Sequence, residues 1–133
     1  MAHSSTLIRT LATAAIAAGL ALFAGEARAH HSLGMFDFSQ TLTLHGTVKE
    51  FSWANPHTFI VLSVTNKEGR PEIWEAEGQS PNYLARRGWT RGTVKPGDKV
   101  MLVINPLKNG GAGGRFLSMV LANGQTLLQQ PAE

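Results

Sequence analysis

The chain has 133 residues, 16% of them charged and 43% apolar, which is enough for one domain beyond any processed segment. Twelve Lys and Arg against nine Asp and Glu leave a formal charge of +3, spread along the chain rather than gathered in a tail, and this argues against nucleic acid as a partner. With no cysteine, a disulfide scaffold, a thiolate metal site, a Cys nucleophile and a lipid-anchored N-terminal Cys are all excluded.

Residues 1–29 read as a cleaved export signal. Arg9 precedes an uncharged run from Leu11 to Gly25, LATAAIAAGLALFAG, and Ala27-Arg28-Ala29 supplies small residues at a cleavage position. The run is short for a bilayer span, which needs about 20 apolar residues. The expected product is periplasmic, without a stable membrane span, and begins His30-His31. Residues 30–133 can bury roughly two thirds of their surface, enough for one core.

Residues 30–41 form a lead-in strap in which Met35, Phe36 and Phe38 are the packing candidates. From Leu42 the pattern alternates: Leu42, Leu44, Gly46 and Val48 take one parity, Thr43, His45, Thr47 and Lys49 the other. The parity then slips, because Phe51 and Trp53 are the next apolar residues. A bulge near Lys49-Glu50, with a bend at Gly46, accounts for this. Trp53-Ala54-Asn55-Pro56 breaks the strand. His57 to Thr65 is rich in β-branched residues and reads as a second strand, and Pro71 to Glu77 as a third. Ser80 as cap, Pro81 at the first helical position and Gly88 past the end predict a short helix from Pro81 to Arg87. After the Lys95-Pro96-Gly97-Asp98 turn, Lys99 to Asn105 is a fourth strand and Arg115 to Ala122 a fifth. The loop between them, Asn109 to Gly114, lacks the Lys-Ser/Thr of a phosphate loop. Asn123-Gly124 signals a hairpin, with Gln125 to Leu128 as a brief return and residues 129–133 as a frayed tail.

Three strands, a short helix and two more strands predict an all-β domain over residues 42–128, a small five-stranded OB-like Greek-key barrel with one short helix between strands 3 and 4. A small β-sandwich is the alternative, because strand order cannot be read from one sequence.

The histidines are the candidate metal ligands, although a polar start at His30 and His31 and a strand-capping His57 account for them as well. Cleavage gives His30 a free amine, and amine and Nδ1 of one residue close a six-membered chelate ring. A third nitrogen completes a T-shaped site, and planar nitrogen coordination favours Cu(II). His57, entering the second strand, and His45, on the face opposite Leu44, are candidates for that nitrogen, and His31 is a further one. The arrangement resembles the histidine brace of periplasmic copper carriers and copper-dependent polysaccharide oxygenases. It departs from the carriers in lacking their further His and Met pattern, and from the oxygenases in being too small for their substrate face.

No nucleophile–base–orienter set is visible, so no catalytic residue is assigned. Glu75 and Glu77 share a strand face but read as exposed carboxylates. Arg86, Arg87, Arg91, Lys95 and Lys99 read as a solvated basic face, partly paired with Glu75, Glu77 and Asp98. Trp53, Phe59, Trp74, Tyr83 and Trp89 are aromatic candidates for a groove, although core packing accounts for them as well.

The start His30-His31-Ser32, followed by Met35-Phe36-Asp37, Gly46-Thr47-Val48, Asn55-Pro56-His57, Ser80-Pro81, Gly88-Trp89-Thr90-Arg91 and Lys95-Pro96-Gly97-Asp98, resembles a family of small exported bacterial proteins known only as a domain of unknown function. The resemblance implies an exported single domain and lends no catalytic residue. It singles out His30, His31, Asn55, His57, Trp89 and Arg91 as the motif residues with side chains able to bind something. The leading expectation is a non-enzymatic periplasmic binding module, with copper as the metal. The alternatives are an accessory protein that meets another envelope protein through the barrel end at Trp53, Asn55, Trp89 and Arg91, and, third, a copper redox enzyme.

Overall fold

The computed structural model describes residues 33–129. The export signal, His30, His31 and all of the tail beyond Gln129 lie outside the described residues. Among those described there are six strands, one short α-helix and one 3₁₀ turn. The strands are β1 (Leu42–Ser52), β2 (Phe59–Thr65), β3 (Pro71–Glu77), β4 (Lys99–Pro106), β5 (Gly113–Val120) and β6 (Thr126–Leu128). The helix α1 spans Pro81–Ala85.

The strands close into a barrel rather than a sandwich. β1 pairs antiparallel with both β2 and β4, β2 with β3, and β4 with β5. A parallel seam of three residue pairs, Glu75↔Gly113, Ala76↔Gly114 and Glu77↔Arg115, then joins β3 to β5. The ring order β1-β2-β3-β5-β4 is that of an OB-type Greek-key barrel. β6 extends β5 as the return of a hairpin.

Local chemistry explains the curvature. β1 serves two neighbours around Gly46, which pairs with Val64 on one side and Val100 on the other. A Cβ there would stand 2.9 Å from the Ser63 carbonyl oxygen, so only glycine lets the strands converge at that corner. Past Val48 the register with β2 shifts by one residue, which leaves Lys49 as the bulge. The shift restores an inward direction to Phe51, which packs on the core. Inward residues Val48, Ile60, Leu62, Leu102, Ile104 and Phe116 are all fully buried. Their burial is the main force holding the barrel.

The helix is shorter than its sequence signals suggest. Ser80 Oγ caps it by accepting from the Tyr83 amide at 3.4 Å. Its end tightens early, through Arg87 N–H to the Leu84 carbonyl and Gly88 N–H to the Ala85 carbonyl, with Gly88 at φ +83°. That turn drives Trp89 into the core, where it is 1% exposed and donates its indole N–H to the Leu128 carbonyl at 3.0 Å. Its ring stands 5.3 Å from Phe116 and 6.4 Å from Phe51.

The segment before β1 is anchored on the end of β4. Leu33–Met35 forms the 3₁₀ turn, and Phe36, 3% exposed, bridges to Leu107. The Asp37 amide donates to the Pro106 carbonyl at 2.8 Å, and Asn105 Nδ2 to the Gln40 carbonyl at 2.8 Å. Phe38 remains 55% exposed and meets Phe36 edge-on. No helix of the described residues is long and apolar enough to cross a membrane.

Candidate functional site

The β1–β2 connection, residues 53–58, carries the Asn55-Pro56-His57 motif, and its Asn55–Pro56 peptide is cis. Buried Thr58 ties the end of this connection to the exit of β3. Its amide and hydroxyl both donate to the Gln79 carbonyl, at 3.2 and 2.9 Å, and the Gly78 amide donates back to the Thr58 carbonyl at 2.8 Å. Gly78 is required here, since a Cβ would overlap the Phe116 ring and the Thr58 hydroxyl.

This splice sets His57 beside Glu77. His57 Nδ1 pairs with the Glu77 carboxylate, whose side chain is only 12% exposed, while the His57 side chain is 37% exposed. Glu77 is therefore not the exposed carboxylate the strand pattern suggests: its face is covered where β3 lies between β2 and β5. Glu75, two residues earlier, is exposed. With Nδ1 engaged, Nε2 is left without a partner among the described residues. A carboxylate behind one ring nitrogen fixes the tautomer and orients the other, the arrangement found behind metal-bound histidines.

The remaining predicted residues are scattered. His45 is exposed on the outer face of β1, directly opposite Met101 of β4. It lines an open groove of about 530 Å³ together with Thr47, Ser63, Thr65 and Lys99. That groove is at the far end of β2 from His57, because Gly46, next to His45, pairs with Val64, whereas His57 precedes Phe59. The structure does not bring His45 and His57 together. Among the described residues no three His, Asp or Glu side chains cluster closely enough to hold a metal ion.

Asn55 is exposed and Trp53 half-buried, with its ring 5.6 Å from Phe51. Exposed Arg91 donates through Nη2 to the Trp53 carbonyl at 3.0 Å, pinning the connection to the segment after the helix. Trp89 differs from its expected place on a contact surface: it is a core residue facing the barrel interior. The aromatic side chains do not form one groove either. Trp53, Trp74 and Tyr83 pack against the core from different elements.

The expected basic face pairs differently as well. The Arg87 guanidinium lies 3.7 Å from the Tyr83 ring centroid and donates to the Tyr83 carbonyl at 3.1 Å. Asp98 accepts from the Lys95 amide at 3.0 Å, closing its own turn. Among the described residues His57–Glu77 is the ion pair observed, so Glu75, Glu77 and Asp98 do not neutralise the arginines and lysines.

The model of a family of unknown function, DUF6152, matches residues 16–116. The chain belongs to that family. No curated protein and no solved structure matches it. In this DUF6152 protein the match takes in the Asn55-Pro56-His57 connection, Glu77, the Gly88-Trp89-Thr90-Arg91 segment and the barrel seam. The partner that sequence reasoning missed is Glu77. Its signal lay in position, at the end of a strand that any closed barrel with this chain order sets beside the start of the second.

Proposed function

We propose that this DUF6152 protein is an exported, non-enzymatic binding module that takes copper. His57 Nε2 is the donor on the barrel, and the amine and Nδ1 of His30, freed by cleavage after Ala29, are the donors of the mature N-terminus. The observation that carries the reading is the His57–Glu77 pair, which leaves one outward-available nitrogen on a ring held from behind. A single protein histidine and an N-terminal chelate give the nitrogen-rich set that favours Cu(II). The periplasm is the compartment this reading requires.

The test is Cu(II) titration, by calorimetry and electron paramagnetic resonance, of three proteins: the mature chain, the same chain with one extra residue before His30, and His57→Ala. Expected are one tight nitrogen-rich site in the mature chain, loss of the chelate signature in the extended chain, and weaker binding in His57→Ala. Equal affinity in all three would overturn the proposal.

A further inference from the structure

Arg115 is a charged residue in an unusual setting. It is only 8% exposed, yet it faces away from the core. Its neighbours along β5 point inward: Phe116 is fully buried, and a Cβ on Gly114 would press on Ile104 Cδ1 at 2.9 Å. Arg115 therefore lies on the outer face, between Asn105 of β4 and Glu77 of β3, with which it is in register.

Neither neighbour satisfies it. The Glu77 carboxylate is engaged by His57, and the Asn105 amide by the Gln40 carbonyl. Among the described residues no carboxylate or carbonyl pairs with the Arg115 guanidinium. The sealed polar atoms without partners are Arg87 Nε and Gln129 Nε2. The Arg115 nitrogens are not among them, so its stem is covered while its head still meets solvent. With its stem fixed and its head open to solvent, the guanidinium loses little further side-chain freedom on taking an anion. The planar fork suits two oxygens of one carboxylate or phosphoryl group.

We propose that Arg115 anchors an oxyanion site on the outer rim of the barrel, which takes the carboxylate or phosphoryl group of a small ligand. The site needs neither a metal nor the cleaved N-terminus, so it stands or falls apart from the copper reading.

The test uses the full chain, labelled with ¹⁵N, stripped of metal and desalted. Inorganic phosphate and acetate are titrated separately at constant ionic strength and pH, and the arginine Nε–Hε signals are followed. Expected is a saturable shift of Arg115 with at least one anion, and at least tenfold weaker binding in Arg115→Met, with Arg115→Lys intermediate. Saturation with phosphate alone assigns a phosphoryl group, and saturation with acetate assigns a carboxylate. A non-saturating drift shared equally by Arg91 and Arg115 would overturn the proposal, as would an unchanged affinity in Arg115→Met. Should Arg115→Met fail to fold, the wild-type titration alone decides by the same criterion.

Discussion

Glu77 closes β3 and His57 lies in the connection just before β2, its neighbour in the sheet, and their pairing leaves one imidazole nitrogen unengaged. Neither residue alone marks a site. The carboxylate orients the ring, and the ring occupies a carboxylate that would otherwise be partly buried without a partner.

The first prediction concerns this pair. Glu77→Gln keeps the shape but removes the charge behind the ring. Copper affinity is expected to fall by about 10- to 100-fold, the usual effect of losing such a supporting carboxylate. Calorimetric titration beside circular dichroism checks it, with the spectrum unchanged. An unchanged affinity would detach Glu77 from metal binding.

A second prediction concerns the core. Trp89 is buried against Phe116 and Phe51 and bonds to the Leu128 carbonyl. Trp89→Ala is expected to destabilise by about 3–5 kcal/mol. Trp89→Phe keeps most of the apolar contact but orphans the carbonyl, at about 1–3 kcal/mol. Urea unfolding followed by circular dichroism separates the two. A surface role for Trp89 would leave both near wild type.

Third, the splice at Gly78 has no room. Gly78→Ala forces a methyl group into the buried Phe116 ring and the Thr58 hydroxyl, and it should cost about 1–3 kcal/mol or more. Gly92 is exposed, its nearest neighbour to a new Cβ is Thr90 Oγ1 at 3.9 Å, and Gly92→Ala should stay within about 0.5 kcal/mol of wild type. Paired melts of the two variants provide the comparison.

The fourth is a pH effect. The Ser39 hydroxyl, then the Ser39 amide, hold the Asp37 carboxyl below its ordinary value of 3.8, with Gln40 adding to them. A carboxyl lowered by folding contributes stability that is present above its unfolded value and is lost as pH falls through the folded one. The order of the Asp37–Gln40 turn should therefore persist at neutral pH and decline below about 3.8. Ser39→Ala should move the Asp37 titration upward, as read by carboxyl-carbon NMR. A titration that Ser39→Ala leaves in place would remove the hydrogen-bond explanation.

Much of the barrel was legible because its signals are local. The slip of parity between Val48 and Phe51 marks the bulge where the register shifts, and Ser80-Pro81 marks where the helix starts. Pro71 to Glu77 bounds the third strand in both readings. The seam was not legible. Glycines at 113 and 114 read as a flexible loop, but they are the residues without side chains that let β5 come against β3 and Asn105. The site was obscured for the same reason. Glu77 and Arg115 look like surface charges until a parallel pairing, distant in sequence, covers both. Trp89 belongs to a motif whose side chains read as a contact segment. The early end of the helix turns it inward.

The three-pair seam also governs how the ring breathes. β1 is stitched to its neighbours along most of its length, whereas β3 and β5 share only Glu75 to Glu77 and Gly113 to Arg115. A transient parting would follow that short line and carry Glu77 away from Arg115, leaving His57 with its carboxylate. Deuterium uptake at the seam amides, compared with those at mid-β2, would then clock the opening.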